Sequence, residues 1–547
     1  MTGGGPSGDS GNVAAGSLRS RLAVPPGPAS DGVPDDAQGS LRTLARGSVI
    51  TLAGMIANGV LNLVLLLAVT RGLHALGAGL FFQVVALFTI LTSIAELGAA
   101  PGLVRTIARY RALGRPQDIR SVLAVALWPV VVVGAVLGAA VFALAPQLAD
   151  ILGVSRAEAV GYLRMFAPFL PVAAASSVAL SATRGFGTMV PYVSVENIGK
   201  PALRPVLVVL AIASGFGTLA VALAWAFPIA IAFPIAVIAL VALLRRTEQE
   251  ALSLERTTPI RDLASEFWRF AAPRGLATVF HVAITWLDVL LIGALRSAAE
   301  AGIYAAVSRL VLFGVFAIEA VRLAIAPQIS GLLARHERDA AQMVYRVGTW
   351  WLMALSWPLY LALAVFAPFV LKMFGPGFSA GETPLLILSL AMLFGVGTGN
   401  VTVVLLMGGK SIWNLANTIV ALAVNVTLNL ILIPRFGMNG AAVAWAVSII
   451  VNNLIPLAQV MRFLRLNPFG RGFLVVALGT TACYAGLGIL IRSTVGMTAA
   501  SFVAFVVVAT AIYLWILTRS RGTLHLSALR EALPGGRVRV QPTGDLG

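Results

Sequence analysis

The chain has 547 residues, of which 59% are hydrophobic and only 11% charged, and its mean hydropathy is +0.91. A soluble protein carries about 25% charged residues, so this composition excludes a soluble enzyme, a disordered protein and a disulfide scaffold, and leaves a polytopic membrane protein. The net charge of +17 does not point to nucleic acid, because the basic residues are not gathered on one soluble face.

In chain order, residues 1–40 are rich in Gly, Ser, Pro and Asp without apolar periodicity, which predicts a disordered tail reaching residue 46. A signal peptide would need a basic start followed directly by an apolar run. Apolar stretches near the spanning length of about 20 residues then recur. They fall at 47–69, 79–101, 121–144, 161–183, 191–213, 218–244, 275–295, 302–327, 347–370, 384–407, 412–433, 439–461, 472–491 and 498–518. This predicts an all-α protein of fourteen transmembrane helices, since open strands leave backbone groups unsatisfied in lipid. A barrel would show ten-residue alternation, which is absent. A basic linker is expected at 245–274 and a polar tail at 519–547. The single cysteine, Cys483, lies in an apolar run and has no internal disulfide partner.

Basic residues set the orientation. With the N-terminus inside, the two tails and the even-numbered loops hold 30 of the 39. The odd loops hold six, Arg71, Arg156, Arg296, Lys372, Arg435 and Arg492, and Arg164, Arg309 and Arg322 lie within spans. Both termini are therefore expected in the cytoplasm, with the protein in the cell membrane.

An internal repeat is present. Gly79-Leu80-Phe81 leads to Glu96 with the same spacing by which Gly302-Ile303-Tyr304 leads to Glu319, at an offset of 223. Phe216-Gly217 precedes Ala224-Trp225-Ala226 as Phe436-Gly437 precedes Ala444-Trp445-Ala446, at an offset of 220. Two six-helix lobes in parallel orientation follow, 47–244 and 275–461, with 462–518 as two extra helices. Lobes related by an axis along the membrane normal are a transporter architecture, with the substrate between them.

Charges inside a membrane are costly and therefore informative. The candidates are Glu96 in span 2, His281 and Asp288 in span 7, Arg309, Glu319 and Arg322 in span 8, and Glu196, Lys200 and Arg204 in span 5. Each also has a structural explanation. Glu319 and Arg322 can neutralise each other across one turn, and Glu196, Lys200 and Arg204 share one helix face that an interface can solvate. Asp288 and Arg309, on neighbouring helices at similar depth, can form an ion pair or an outer gate. Glu96 can be a helix-end residue, and His281, the natural proton carrier by pKa, can be a hydrogen-bonded core residue. Asn58 and Asn62 share a face of span 1, and Asn425 and Asn429 a face of span 11. They suit a polar cavity lining or helix-to-helix hydrogen bonding.

No GxxxxGK[ST] phosphate loop, HExxH motif, cysteine pair or GxSxG elbow is present, so neither ATP hydrolysis, a metal site nor an acyl-transfer enzyme is expected. The soluble loops are too short for a nucleotide-sugar domain.

Particular runs resemble the Wzx (RfbX) type of polysaccharide flippase. These are Glu96-Leu97-Gly98 followed by Leu103-Val104-Arg105, Leu290-Leu291-Ile292-Gly293 leading to Ala301-Gly302-Ile303-Tyr304-Ala305-Ala306, Phe374-Gly375-Pro376-Gly377-Phe378, and Asn425 through Ala446 with Ile433-Pro434-Arg435-Phe436-Gly437. The resemblance covers roughly 41–490 and places the chain in the MATE/MOP superfamily, which also holds multidrug exporters and the lipid II flippase. It implies transfer of a polyprenyl-diphosphate-linked oligosaccharide from the cytoplasmic to the outer face, for surface polysaccharide biosynthesis. By charge and position, Arg322, Arg309, Lys200 and Arg204 are candidates for the diphosphate headgroup, because Arg pairs with phosphates through bidentate hydrogen bonds. Glu96, Glu319, Asp288 and His281 are candidates for gating or for coupling to a proton or sodium gradient. No cofactor is expected, a monomer is the default, and a polymerase or ligase is the expected neighbour. The alternatives are an organic-cation exporter, which would need an acidic cavity, and a lipid II flippase.

Overall fold

A chain this apolar satisfies its backbone within each segment, and among the described residues every regular element is helical. The computed structural model describes residues 1–3, 35–152, 156–249 and 258–522. It forms two units, Met1–Gly47 and Ser48–Gly547. The first consists, in its described part, of residues 1–3 and the opening of helix α1 (Asp35–Ala95). Of the predicted N-terminal tail, 4–34 lie outside the described residues, and 35–46 is helix rather than tail. The predicted C-terminal tail lies outside the described residues from 523 onward.

In the second unit α1 is followed by α2 (Ala99–Ala112), α3 (Ile119–Ala143), α4 (Phe169–Gly185), α5 (Lys200–Ala213), α6 (Thr218–Gln249), α7 (Ile260–Leu295) and α8 (Ala298–Phe313). Then come α9 (Val315–Ala334), α10 (Arg338–Val365), α11 (Glu382–Gly397), α12 (Ser411–Gln459), α13 (Arg471–Thr480), α14 (Leu487–Thr494) and α15 (Ala499–Arg519). Ten helical stretches among the described residues are long and apolar enough to cross a membrane. Two of them join a pair of helices across a kink, α1 at His74 (φ 54°) and α12 at Gly437 (φ 58°). The predicted fifth and eighth spans fall on helix outside those ten stretches, the eighth divided between α8 and α9.

Three local departures from the expected spans shape the site. The second span is not continuous: α1 ends at Ala95, and Leu97 (φ 52°) and Gly98 (φ 76°) both turn left-handed before α2 begins. Gly98 is required here twice. It supplies the positive φ, and a Cβ on it would meet the Cα of Gly275 in α7 at 2.6 Å. Pro101 then falls in the first turn of α2, where its missing N–H has no helical partner to lose.

The fifth span widens into a π-helix over Val193–Gly199. Pro201 and Pro205 follow, and each removes a donor from the usual ladder. The backbone N–H of Lys200 reaches back to the carbonyl of Val195, one residue further than an α-turn allows.

The predicted linker 245–274 is mostly helical. α6 runs to Gln249 and α7 begins at Ile260, with 250–257 outside the described residues. The reason lies in Leu263, Phe267 and Ala271, spaced by four, which bury against Leu103 and Ile107 of α2 and Val122 of α3. The second half of α7 carries Val289 and Ile292 into a different cluster with Ala301 and Tyr304 of α8. α7 is thus a strut between two cores. A third, aromatic cluster docks α15 through Phe502 and Phe505 on Phe366, whose ring stacks on that of Phe505 at 4.7 Å.

Candidate functional site

A cavity of about 500 Å³ opens between α1, α4, the Val193–Ala213 segment and α6 on one wall and α7 and α8 on the other. Its size is that of a small-molecule site. The π-turn and the broken second span both deliver charge to it: Glu196, Lys200 and Arg204 from the first, Glu96 from the second. Arg309 and Trp286 come from the opposite wall.

The cations are held in different ways. Lys200 Nζ lies 2.5 Å from Glu196 Oε2, a pair one helical turn apart, and the lysine is 9% exposed. Arg204 stacks its guanidinium 3.9 Å above the Trp225 ring and donates from Nε to the Trp225 carbonyl oxygen at 3.2 Å. Trp225 is itself fixed, its ring in contact with those of Phe81, Phe88 and Phe166. Arg309 lies 3.5 Å over the Trp286 ring, and its Nε and Nη2 are buried without a hydrogen-bond partner. Among the described residues neither arginine is in an ion pair. A desolvated cation–π contact contributes about 2 kcal/mol, which offsets only part of the cost of removing a guanidinium from water.

Asp288 does not pair with Arg309. It is 2% exposed and accepts from Tyr304 Oη at 2.9 Å and from Asn429 Nδ2 at 2.7 Å. Asn429 Nδ2 also reaches Asn425 Oδ1 at 3.1 Å. Two neutral donors thus satisfy the carboxyl, while Trp286 draws Arg309 to the cavity. Asn425 and Asn429 are fully buried in this cluster and are not on the cavity wall.

Asn62 is on the wall, and its amide donates to the backbone carbonyl of Asn58, which does not line the cavity, at 2.8 Å. Glu319 and Arg322 form an ion pair, with Arg322 Nε 2.7 Å from Glu319 Oε2. His281 lies within electrostatic reach of both. These three are apart from the cavity lining. Of the thirteen residues singled out in the sequence, the cavity therefore gathers Asn62, Glu96, Glu196, Lys200, Arg204 and Arg309.

A family model described as polysaccharide biosynthesis protein matches residues 44–333. The chain belongs to that family. The matched region contains every charged residue of the cavity. A curated relative, the probable low-salt glycan biosynthesis flippase Agl15 of Haloferax volcanii, is 28% identical over 179 residues. That match covers 31% of this chain and 36% of the relative, so the chain spans about a third of the relative's length.

Among solved structures, the lipid II flippase MurJ in an inward closed conformation is similar at a TM-score of 0.64 and 12% identity, over 88% of this chain and 99% of that one. An inward-facing multidrug resistance MATE family transporter of the MOP superfamily is similar at 0.59 and 15% identity, over 79% of this chain and 98% of that one. At such identities the likeness is one of fold, and the chain is a multi-pass membrane protein with that helical fold.

Three residues that matter to the site carry no signal of their own in the sequence: Trp225 and Tyr304 stand there only as parts of the repeat, and Trp286 belongs to no motif. The available signal was indirect. An intramembrane Arg with no acidic residue one turn away needs some other support, and a tryptophan on a neighbouring span can supply it.

Proposed function

We propose that this chain is a flippase for a polyprenyl-diphosphate-linked oligosaccharide, moving it from the cytoplasmic to the outer face of the cell membrane. The observation that carries this reading is the cavity itself. It presents Arg204 and Arg309, neither of them in an ion pair among the described residues, and Lys200, paired with Glu196, to a space between two groups of helices. Guanidinium groups hydrogen-bond to phosphate oxygens in a bidentate manner, and the low dielectric strengthens that contact. An exporter of organic cations would need the opposite balance. The family membership and the glycan flippase relative support the same class of cargo.

In this reading Arg204, Lys200 and Arg309 receive the anionic headgroup, while the lipid chain remains in the bilayer. Glu96 and the Asp288 cluster serve coupling to a proton or sodium gradient. The Glu319–Arg322 pair, with His281 nearby, serves gating rather than headgroup contact. Both termini face the cytoplasm, as the distribution of arginines requires. A polymerase or ligase on the outer side takes up the product.

The test is lipid extraction from cells depleted of the protein. Polyprenyl-diphosphate glycans should accumulate on the cytoplasmic face, and the intact gene but not Arg204→Ala should reverse this. A normal distribution in depleted cells that make a surface glycan would defeat the proposal. Accumulation of the peptidoglycan precursor instead would move the cargo to lipid II.

A further inference from the structure

We propose that the turn Arg71–Gly77 of α1 is a sprung latch on the outer gate. Arg71 holds a strained turn of the first repeat against the second repeat, and its release lets the two part at that end. The inference rests on the flippase reading, whose topology puts this end of the bundle outside the cell.

The first argument is the contact. Arg71 Nε donates to the Met373 backbone carbonyl at 2.7 Å, although 302 residues separate them in the chain. Met373 follows directly on the short helix Ala367–Lys372, and the last carbonyls of a helix have no partner within it. The acceptor is fixed in place. Phe374 and Phe378 beside it are buried in one core with Ile303 and Val307 of α8. Arg71 itself is exposed, so water can take over from the carbonyl when the contact opens. A charge-assisted hydrogen bond at the surface is strong enough to bias a gate and weak enough to let go.

The second argument is strain. His74 has φ 54° and ψ −174°, a backbone conformation left almost entirely to glycine. Such strain persists only where surrounding contacts impose it. The contacts on either side of His74 both lead to the second repeat. One is Arg71 on Met373. The other is the crossing with α8, where a Cβ on Gly302 would meet the Ala75 carbonyl oxygen at 2.3 Å. The equivalent of His74 in the second repeat, at the offset of 223, is Ser297. Ser297 has relaxed extended backbone (φ −161°, ψ 154°) and caps α8 by accepting from Glu300 N. The turn itself therefore does not require the strain, and parting the two repeats relieves it.

The third argument is the difference between the two copies. The second repeat staples its turn to itself. Glu300 Oε2 accepts from Met438 N at 3.1 Å and Arg296 Nη1 donates to the Pro434 carbonyl oxygen at 3.5 Å, both beside the kink of α12 at Gly437. At the same offset the first repeat has Leu73 and Gly77, which carry no hydrogen-bonding side chain. Arg71 supplies a tie in their stead, but to the other repeat. A turn held in this way moves when the gate moves, whereas its stapled counterpart stays with its own helices.

The test uses the full-length chain with Thr89→Cys, on the cavity wall, as its single cysteine in a Cys483→Ala background. A membrane-impermeant maleimide is added to intact cells and, in parallel, to inside-out vesicles. Arg71→Gln should speed labelling from outside about tenfold, the effect of one hydrogen bond to a charged group, and slow labelling from the cytoplasmic side. Arg71→Lys should fall between Arg71→Gln and the parent. His74→Gly, which accepts the turn without strain, should hold the gate shut and shift both rates the other way. The two variants act in opposite directions, so loss of one to misfolding leaves the other to decide. Unchanged labelling from both sides, faster labelling from both, or the same direction of change in both variants overturns the latch. Exchange of the two sides, with Arg71→Gln opening the cytoplasmic face, keeps the latch and overturns the topology of the flippase reading.

Discussion

Gly79 and Gly302, which occupy equivalent positions in the two copies of the sequence repeat, pack on one another backbone to backbone. A Cβ built on Gly302 would meet Gly79 N at 2.7 Å and Gly79 Cα at 3.0 Å, and one built on Gly79 would meet Gly302 N at 3.1 Å. No side chain fits between α1 and α8 at this crossing. At the other end of the same span, Gly98 and Gly275 make the corresponding close approach between the Leu97-Gly98 break and α7.

Gly302→Val should therefore force the crossing apart. Overpacking of this kind costs about 1–3 kcal/mol. The measurement is maleimide labelling of Gln83→Cys, a fully buried position four residues along α1 from Gly79, in a Cys483→Ala background. Labelling should be slow in the parent and faster in Gly302→Val. Equal rates would show that the crossing tolerates a side chain.

Gln83 sets up a second expectation. Its amide is fully buried, neither of its polar atoms has a hydrogen-bond partner, and it fills the notch left by Gly293 of α7. A buried unsatisfied polar group costs about 1–3 kcal/mol, and water relieves that cost once the helices separate. Gln83→Leu, of similar volume, should stabilise the closed crossing, raise the melting temperature and slow transport. A lower melting temperature would show that the amide is satisfied.

The Asp288 cluster predicts an order of effects. Tyr304→Phe removes one hydrogen bond to a buried carboxyl and should cost about 1–3 kcal/mol. Asp288→Leu should cost more, because it strands the Tyr304 hydroxyl and the Asn429 amide together. Thermal unfolding in one detergent would rank the variants, and the reverse order would refute the assignment of Asp288 as the acceptor.

Lys200 and Glu196 offer a charge swap. If their contact were structural only, Glu196→Lys combined with Lys200→Glu should restore both stability and transport lost in either single variant. With Lys200 in contact with the headgroup, the double variant should regain its melting temperature but not its transport. Recovery of both would remove Lys200 from the site.

Much of this architecture was legible in the sequence, because a membrane imposes simple arithmetic on it. Segment length and the uneven distribution of arginines depend on neighbouring residues alone, and so do the repeat of Gly79 at Gly302 and the presence of a few charges in apolar spans. Which charges meet depends on contacts between distant helices, which no local pattern records. Spacing brought Asp288 and Arg309 to similar depth, yet Tyr304 and Asn429 took the carboxyl and Trp286 took the guanidinium. A helical period reports the face a residue shares with its own neighbours and carries no record of the helix that face will meet. The break at Leu97-Gly98 was hidden for the same reason, since its cause is the backbone of Gly275 in a different helix.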